Sequence, residues 1–230
     1  MKYLGLFIFV FFNFSVLVFS QKSNIEKPNY KKIKKLTFKK KSDFYYLKLA
    51  KKFTTGATMT LEEKRTFYYG FAFRYSYKPY KVSKGRKEIN TILRNRVFDK
   101  ITLNKLDVLL RSELIDNPFD LELHNLHIFV YKKLHQKDKV AIKLKQIQVI
   151  KDAILSSGDG KSKKTAYHVI FIKNEYDILK LLKLKEKKHQ FIDKNFECIF
   201  AQPNSQNIEK VYFNITMCAR KLGVRSKMNN

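Results

Sequence analysis

The spacing of apolar residues changes once along this chain, and that change constrains the fold more than any other feature. Up to about residue 156, apolar side chains recur every three or four positions. Beyond Gly158 and Gly160, short runs rich in aromatic and β-branched residues take over. Ser42 is placed to cap the segment DFYYLKLAKKF, which should end near Gly56. Thr60 and Glu63 form a T-x-x-E capping box that opens a helix running into YYGFAFRYSYKPY and stopping before Pro79. Thr102 is expected to cap a stretch carrying Leu106, Leu109, Leu110 and Leu114.

The turn Asn117-Pro118-Phe119-Asp120 then precedes two helical segments, 121–134 and 140–155. A helix pair of this length after an N-P-x-D turn resembles one tetratricopeptide unit, although His127 stands where that repeat has a small residue. Past the two glycines, 166–172, 191–201 and 211–217 read as strands and 176–184 as a helix. The predicted class is therefore α+β: N-terminal helical hairpins, partly tetratricopeptide-like, with a small C-terminal antiparallel sheet. Seven glycines and four prolines in 230 residues predict short loops.

Residues 1–20 read as a secretory signal peptide. Lys2 precedes an apolar run from Leu4 to Phe19, and Val18 and Ser20 supply small residues before a cleavage point at Gln21. An uncleaved anchor is the rival reading, but Asn13 and Ser15 interrupt the run, while the lysines after Gln21 oppose translocation. The expectation is an exported protein, periplasmic or secreted, with no transmembrane span after cleavage. Residues 21–230 would form a single globular domain, helical over about 30–156 and mixed α/β over about 160–222.

The net charge of +28 favours polyanionic partners, and export makes nucleic acid an unexpected one. Only eight of the 48 basic residues are arginine, so the charge lacks the planar fork that reads phosphates bidentately. Much of it reads as solvated surface lysine. The densest cluster spans 31–41, which makes Lys34, Lys35, Lys39 and Lys40 the first candidates for anion contact. Cys198 and Cys218 are out of register for a bridge: a hairpin turning at 203–207 sets Cys198 opposite roughly residue 212, so two unpaired, buried thiols are predicted.

No intact catalytic motif is present. In SSGDGKSKKTAYHV the P-loop spacing requires glycine at 155 and finds Leu155, and Asp159 is the only carboxylate available to a calcium loop there. Asp159, His168, Glu175 and Asp177 are weak candidates for a hydrolytic acid/base cluster, without a G-x-S-x-G elbow to supply the nucleophile. His124, His127 and His135 lack an acidic co-ligand, so no metal site and no cofactor are expected. Eight aromatics crowd residues 67–80. Among them Tyr68, Tyr69, Phe73, Tyr77 and Tyr80 are candidates for stacking on a ligand, with core packing the competing role.

The order FYYLKLAKKF, T-x-x-E, YYGFAFRYSYKPY, NPFD, AILSSGDGKSKKTAYHVI, NEYDILKLL and VYFNI resembles the exported bacterial family known as domain of unknown function 4919, over about residues 30–222. The resemblance implies an envelope or secreted protein of a Gram-negative bacterium and brings no activity, cofactor or catalytic residue with it. The expected function is a non-enzymatic envelope scaffold that contacts a protein or an anionic surface. The alternatives are an extracytoplasmic hydrolase near the GDG turn and a purely structural envelope component.

Overall fold

The computed structural model describes residues 25–81 and 85–221, and the signal peptide expected at 1–20 lies outside them. Among the described residues, eight α-helices and four strands follow in chain order, with residues 216–221 helical after the last strand: α1 (Tyr30–Phe38), α2 (Tyr46–Thr55), α3 (Leu61–Gly70), α4 (Gly85–Asn95), α5 (Lys100–Asp116), α6 (Leu121–Lys133), α7 (Lys137–Leu155), β1 (Tyr167–His168), α8 (Lys173–Leu181), β2 (Glu186–Asp193), β3 (Phe196–Ala201) and β4 (Lys210–Asn214). The class is α+β. Among the described residues, no helix is long and apolar enough to cross a membrane.

Local signals account for most helix ends. The capping box forms as expected: Glu63 N–H donates to Thr60 Oγ1 and Thr60 N–H to Glu63 Oε2. Helix α2 stops at Gly56. Two caps differ from expectation. Ser42 Oγ accepts from Phe44 N–H in the turn before α2, and Asp99, not Thr102, caps α5, its carboxylate accepting from Thr102 N–H at 2.7 Å. Helix α3 also ends earlier than Pro79, tightening into a 3-10 turn at Phe71–Phe73. Helix α4, unanticipated from sequence, buries only Ile89 and Ile92.

The four-stranded sheet runs β1-β4-β3-β2. It is mixed, which corrects the antiparallel expectation: β1 pairs with β4 in parallel. Between those strands the chain passes through α8 and the β2/β3 hairpin and re-enters in the direction it left, as parallel neighbours require. The run 191–201 is broken by that hairpin's turn, where Asp193 accepts from Asn195 N–H at 2.8 Å. Cys198 faces Tyr212 across β3/β4, as the register argument required, and both cysteines are free and buried.

Burial joins the two halves. One cluster extends from Ile33 in α1 through Phe53, Phe67, Phe119 and Ile150 to Ile199 and Phe213 in the sheet. A smaller cluster of Ile89, Leu103, Leu106, Leu110, Leu123 and Val130 lies between α4, α5 and α6. Helix α6 contributes to both, which ties the outer helices to the main core.

Candidate functional site

Tyr68, Tyr69 and Tyr77 lie inside the molecule, each at most 1 % exposed. The hydroxyls of Tyr68 and Tyr77 satisfy backbone groups of the irregular segment between β1 and α8, and that of Tyr69 reaches carbonyls of α7 and β1. Tyr68 accepts from Ile170 N–H and donates to Asn174 Oδ1, Tyr77 donates to Ile170 O, and Tyr69 Oη lies within reach of the Ala153 and His168 carbonyls. A ligand would therefore meet only Phe73 and Tyr80 of the five candidate aromatics, and both are half-buried. The tyrosines fix the entry to α8, and Glu175 stands in its first turn.

The four candidate acid/base groups have separate partners. Asp159 accepts from Lys161 N–H in the GDG turn, and those hydrogen bonds, together with Thr165, hold its carboxyl below the usual range despite partial burial. His168 Nδ1 lies 3.2 Å from Tyr30 Oη; burial, then the charges of Lys27 and Arg65, pushes the ring down to about 4. Asp177 accepts from Asn174 Nδ2 at 2.9 Å, and burial raises it to about 6. Glu175 points elsewhere, toward the sheet.

There Glu175 joins Glu197 of β3 and His189 of β2, with one ligand-type atom from each lying within 4.8 Å of the others. Glu175 is fully buried and Glu197 is 1 % exposed. His189 Nε2 bonds Glu197 Oε2 at 2.7 Å. Neither oxygen of Glu175 meets a hydrogen-bond donor. Burial first, then the negative charge of Glu197 beside it, then that of Glu186, raises the Glu175 carboxyl far above the ordinary carboxylate range. His189 and Glu197 escaped the sequence reading, because only the hairpin register brings them together. His189 pairs with Ile199 and Phe191 with Glu197, so the two polar residues are diagonal neighbours on one face.

The three other histidines do not assemble. His124 Nε2 donates to Pro118 O and His127 Nε2 bonds Asp107 Oδ1 at 2.6 Å, while His135 sits in an exposed turn. His124 also borders a cleft of about 470 Å³ that carries Arg111 and Lys143 among aromatic walls, and burial pushes Lys143 down to about 8.

The stretch from α1 through the turn after it is basic. Lys31, Lys34, Lys35, Lys39, Lys40 and Lys41 are exposed, and among the described residues none has a carboxylate within ion-pair distance; Lys32 alone in this run pairs, with Glu62. Aromatic rings adjoin them, of which Phe38 is exposed, Phe73 half-buried and Tyr46 buried. Lys34 Nζ lies 6.0 Å from the Phe73 ring, and the Arg74 guanidinium sits 5.1 Å from both Phe38 and Tyr46.

The family described as Domain of unknown function (DUF4919) matches residues 31–222, and the chain belongs to it. No curated protein and no solved structure matches the chain.

Proposed function

We propose that this protein is a non-enzymatic binding module of the cell envelope, exported by its leader, whose α1 face holds it against an anionic lipid surface. One observation carries the reading: six exposed lysines along α1 and the turn after it lack carboxylate partners among the described residues, and they share that stretch with Phe38, itself half exposed. Uncompensated lysines on the same stretch as an exposed aromatic ring suit a headgroup layer, where cations meet phosphate and a ring reaches the acyl boundary. The helix pair α6 and α7, set out like a tetratricopeptide unit, serves as the rigid scaffold behind that face.

Flotation with vesicles tests the reading. The protein binds phosphatidylglycerol vesicles in low salt, releases as salt rises, and ignores phosphatidylcholine vesicles. Replacing Lys34, Lys35, Lys39 and Lys40 by Glu abolishes binding, whereas the same change at Lys132, Lys137, Lys180 and Lys185 reduces it modestly. Equal loss from both sets would reduce the effect to bulk charge and sink the assignment of a face.

A further inference from the structure

We propose that Glu175, His189 and Glu197 form a binding site for a divalent transition-metal cation of the zinc class. The three side chains arrive from a helix and both strands of a hairpin, and their donor atoms already lie within 4.8 Å of one another. Metal–ligand bonds of about 2.0–2.2 Å to imidazole nitrogen and carboxylate oxygen require only small side-chain shifts from that arrangement. The site has more than acidic residues to recommend it. Glu175 is fully buried, unpartnered at both oxygens, and directed at the His189–Glu197 pair. Two carboxyl groups facing each other in the interior call for a positive charge between them, and no lysine or arginine forms an ion pair with either among the described residues.

Donor chemistry selects the ion. One imidazole and two carboxylates suit zinc, manganese or iron(II), whereas magnesium and calcium prefer all-oxygen shells. Access is through the outer strand, where the His189 side chain is 27 % exposed. Phe191, 65 % exposed, lies beside its ring at 5.1 Å. Glu186, close enough to act on Glu175, adds negative charge at the rim. The site is independent of the α1 face.

Calorimetric titration of the chelator-stripped full chain with zinc chloride is the test. One saturable ion per chain is expected, with a rise of several degrees in the unfolding midpoint and no comparable response to magnesium. Glu175→Gln keeps the side chain's shape without its charge and should weaken zinc at least tenfold. His189→Ala, at a half-exposed position on the outer strand, should do the same and still fold. Cobalt(II) in place of zinc should give visible absorption that both variants lose. Absence of a saturable equivalent overturns the proposal and leaves a carboxyl pair sharing a proton. Unchanged affinity in both variants also overturns it, since the ion would then sit elsewhere. Vesicle binding by either variant should match the parent chain, so failure here is distinguishable from failure of the surface reading.

Discussion

The hydroxyl of Tyr68 accepts a hydrogen bond at 3.2 Å from the backbone N–H of Ile170, 102 positions along the chain. The same oxygen donates to Asn174 Oδ1 at 2.8 Å. A helical side chain thus does for an irregular segment what a neighbouring strand does for a ladder: it pairs a buried backbone donor. Tyr68→Phe leaves both partners unpaired in the core and should cost about 2–4 kcal/mol. Denaturant unfolding measures this, with Tyr75→Phe at an exposed ring as a control that should change stability by less than about 0.5 kcal/mol.

Gly56 and Gly160 have nearly the same backbone, φ +68° and +69°, but different surroundings. A Cβ at Gly56 would meet Ile142 at 3.2 Å, whereas one at Gly160 would lie 2.6 Å from the Tyr167 ring and 2.8 Å from Val211 Cγ1. Gly56→Ala should therefore cost about 1 kcal/mol for the left-handed backbone, and Gly160→Ala that plus an overpacking penalty of about 1–3 kcal/mol. Equal losses in a urea series would show that the GDG turn is not held by packing against β1 and β4.

How much of this was legible from residues alone depends on whether a signal was local. Thr60 with Glu63 and the stop at Gly56 are local chemistry, and both form. Strand β2 was hidden because Glu186, Lys187 and Lys188 carry no β-like apolar alternation; an outer strand needs none when neither face of its first half is buried. Helix α4 was hidden for a similar reason, with two buried side chains in eleven residues. Of the Glu175 group, only Glu175 drew notice, since its two partners converge through pairing across a hairpin, which no spacing along the chain expresses.

Acid should loosen the fold through buried histidine. His168 is held down to about 4 from an ordinary 6.5, so as pH falls the unfolded chain takes up the proton first. The stability this group contributes is complete above about pH 6.5, declines between 6.5 and about 4, and changes no further below that. At about 1.4 kcal/mol per pKa step the loss is on the order of 3 kcal/mol. His124, pushed to about 3 chiefly by burial, and His127, at about 4, act in the same direction. His168→Gln should thus flatten, without abolishing, the slope of unfolding free energy against pH across this window. An unchanged slope would mean that His168 is not titrating from a buried neutral state.

Both thiols should be silent in the native protein. Cys198 is 1 % exposed and Cys218 fully buried, and burial, with the charges of Glu175 and Glu197, pushes Cys218 up to about 12 despite the Tyr77 hydroxyl 3.8 Å from its sulfur. Ellman's reagent at pH 8 is expected to label neither thiol within minutes and both in denaturant. Fast native labelling would contradict the buried placement.

The order β1-β4-β3-β2 leaves two outer strands, and neither invites company. β1 is two residues long, too short to template a partner, and β2 opens with Glu186, Lys187, Lys188 and His189. Docking a second copy there would press ammonium groups against ammonium groups along the first half of that edge, ahead of the exposed Phe191 and Ile192. Self-association into fibrils by strand addition is thereby discouraged, and a chain this cationic can be crowded onto a surface while each copy keeps its sheet to itself.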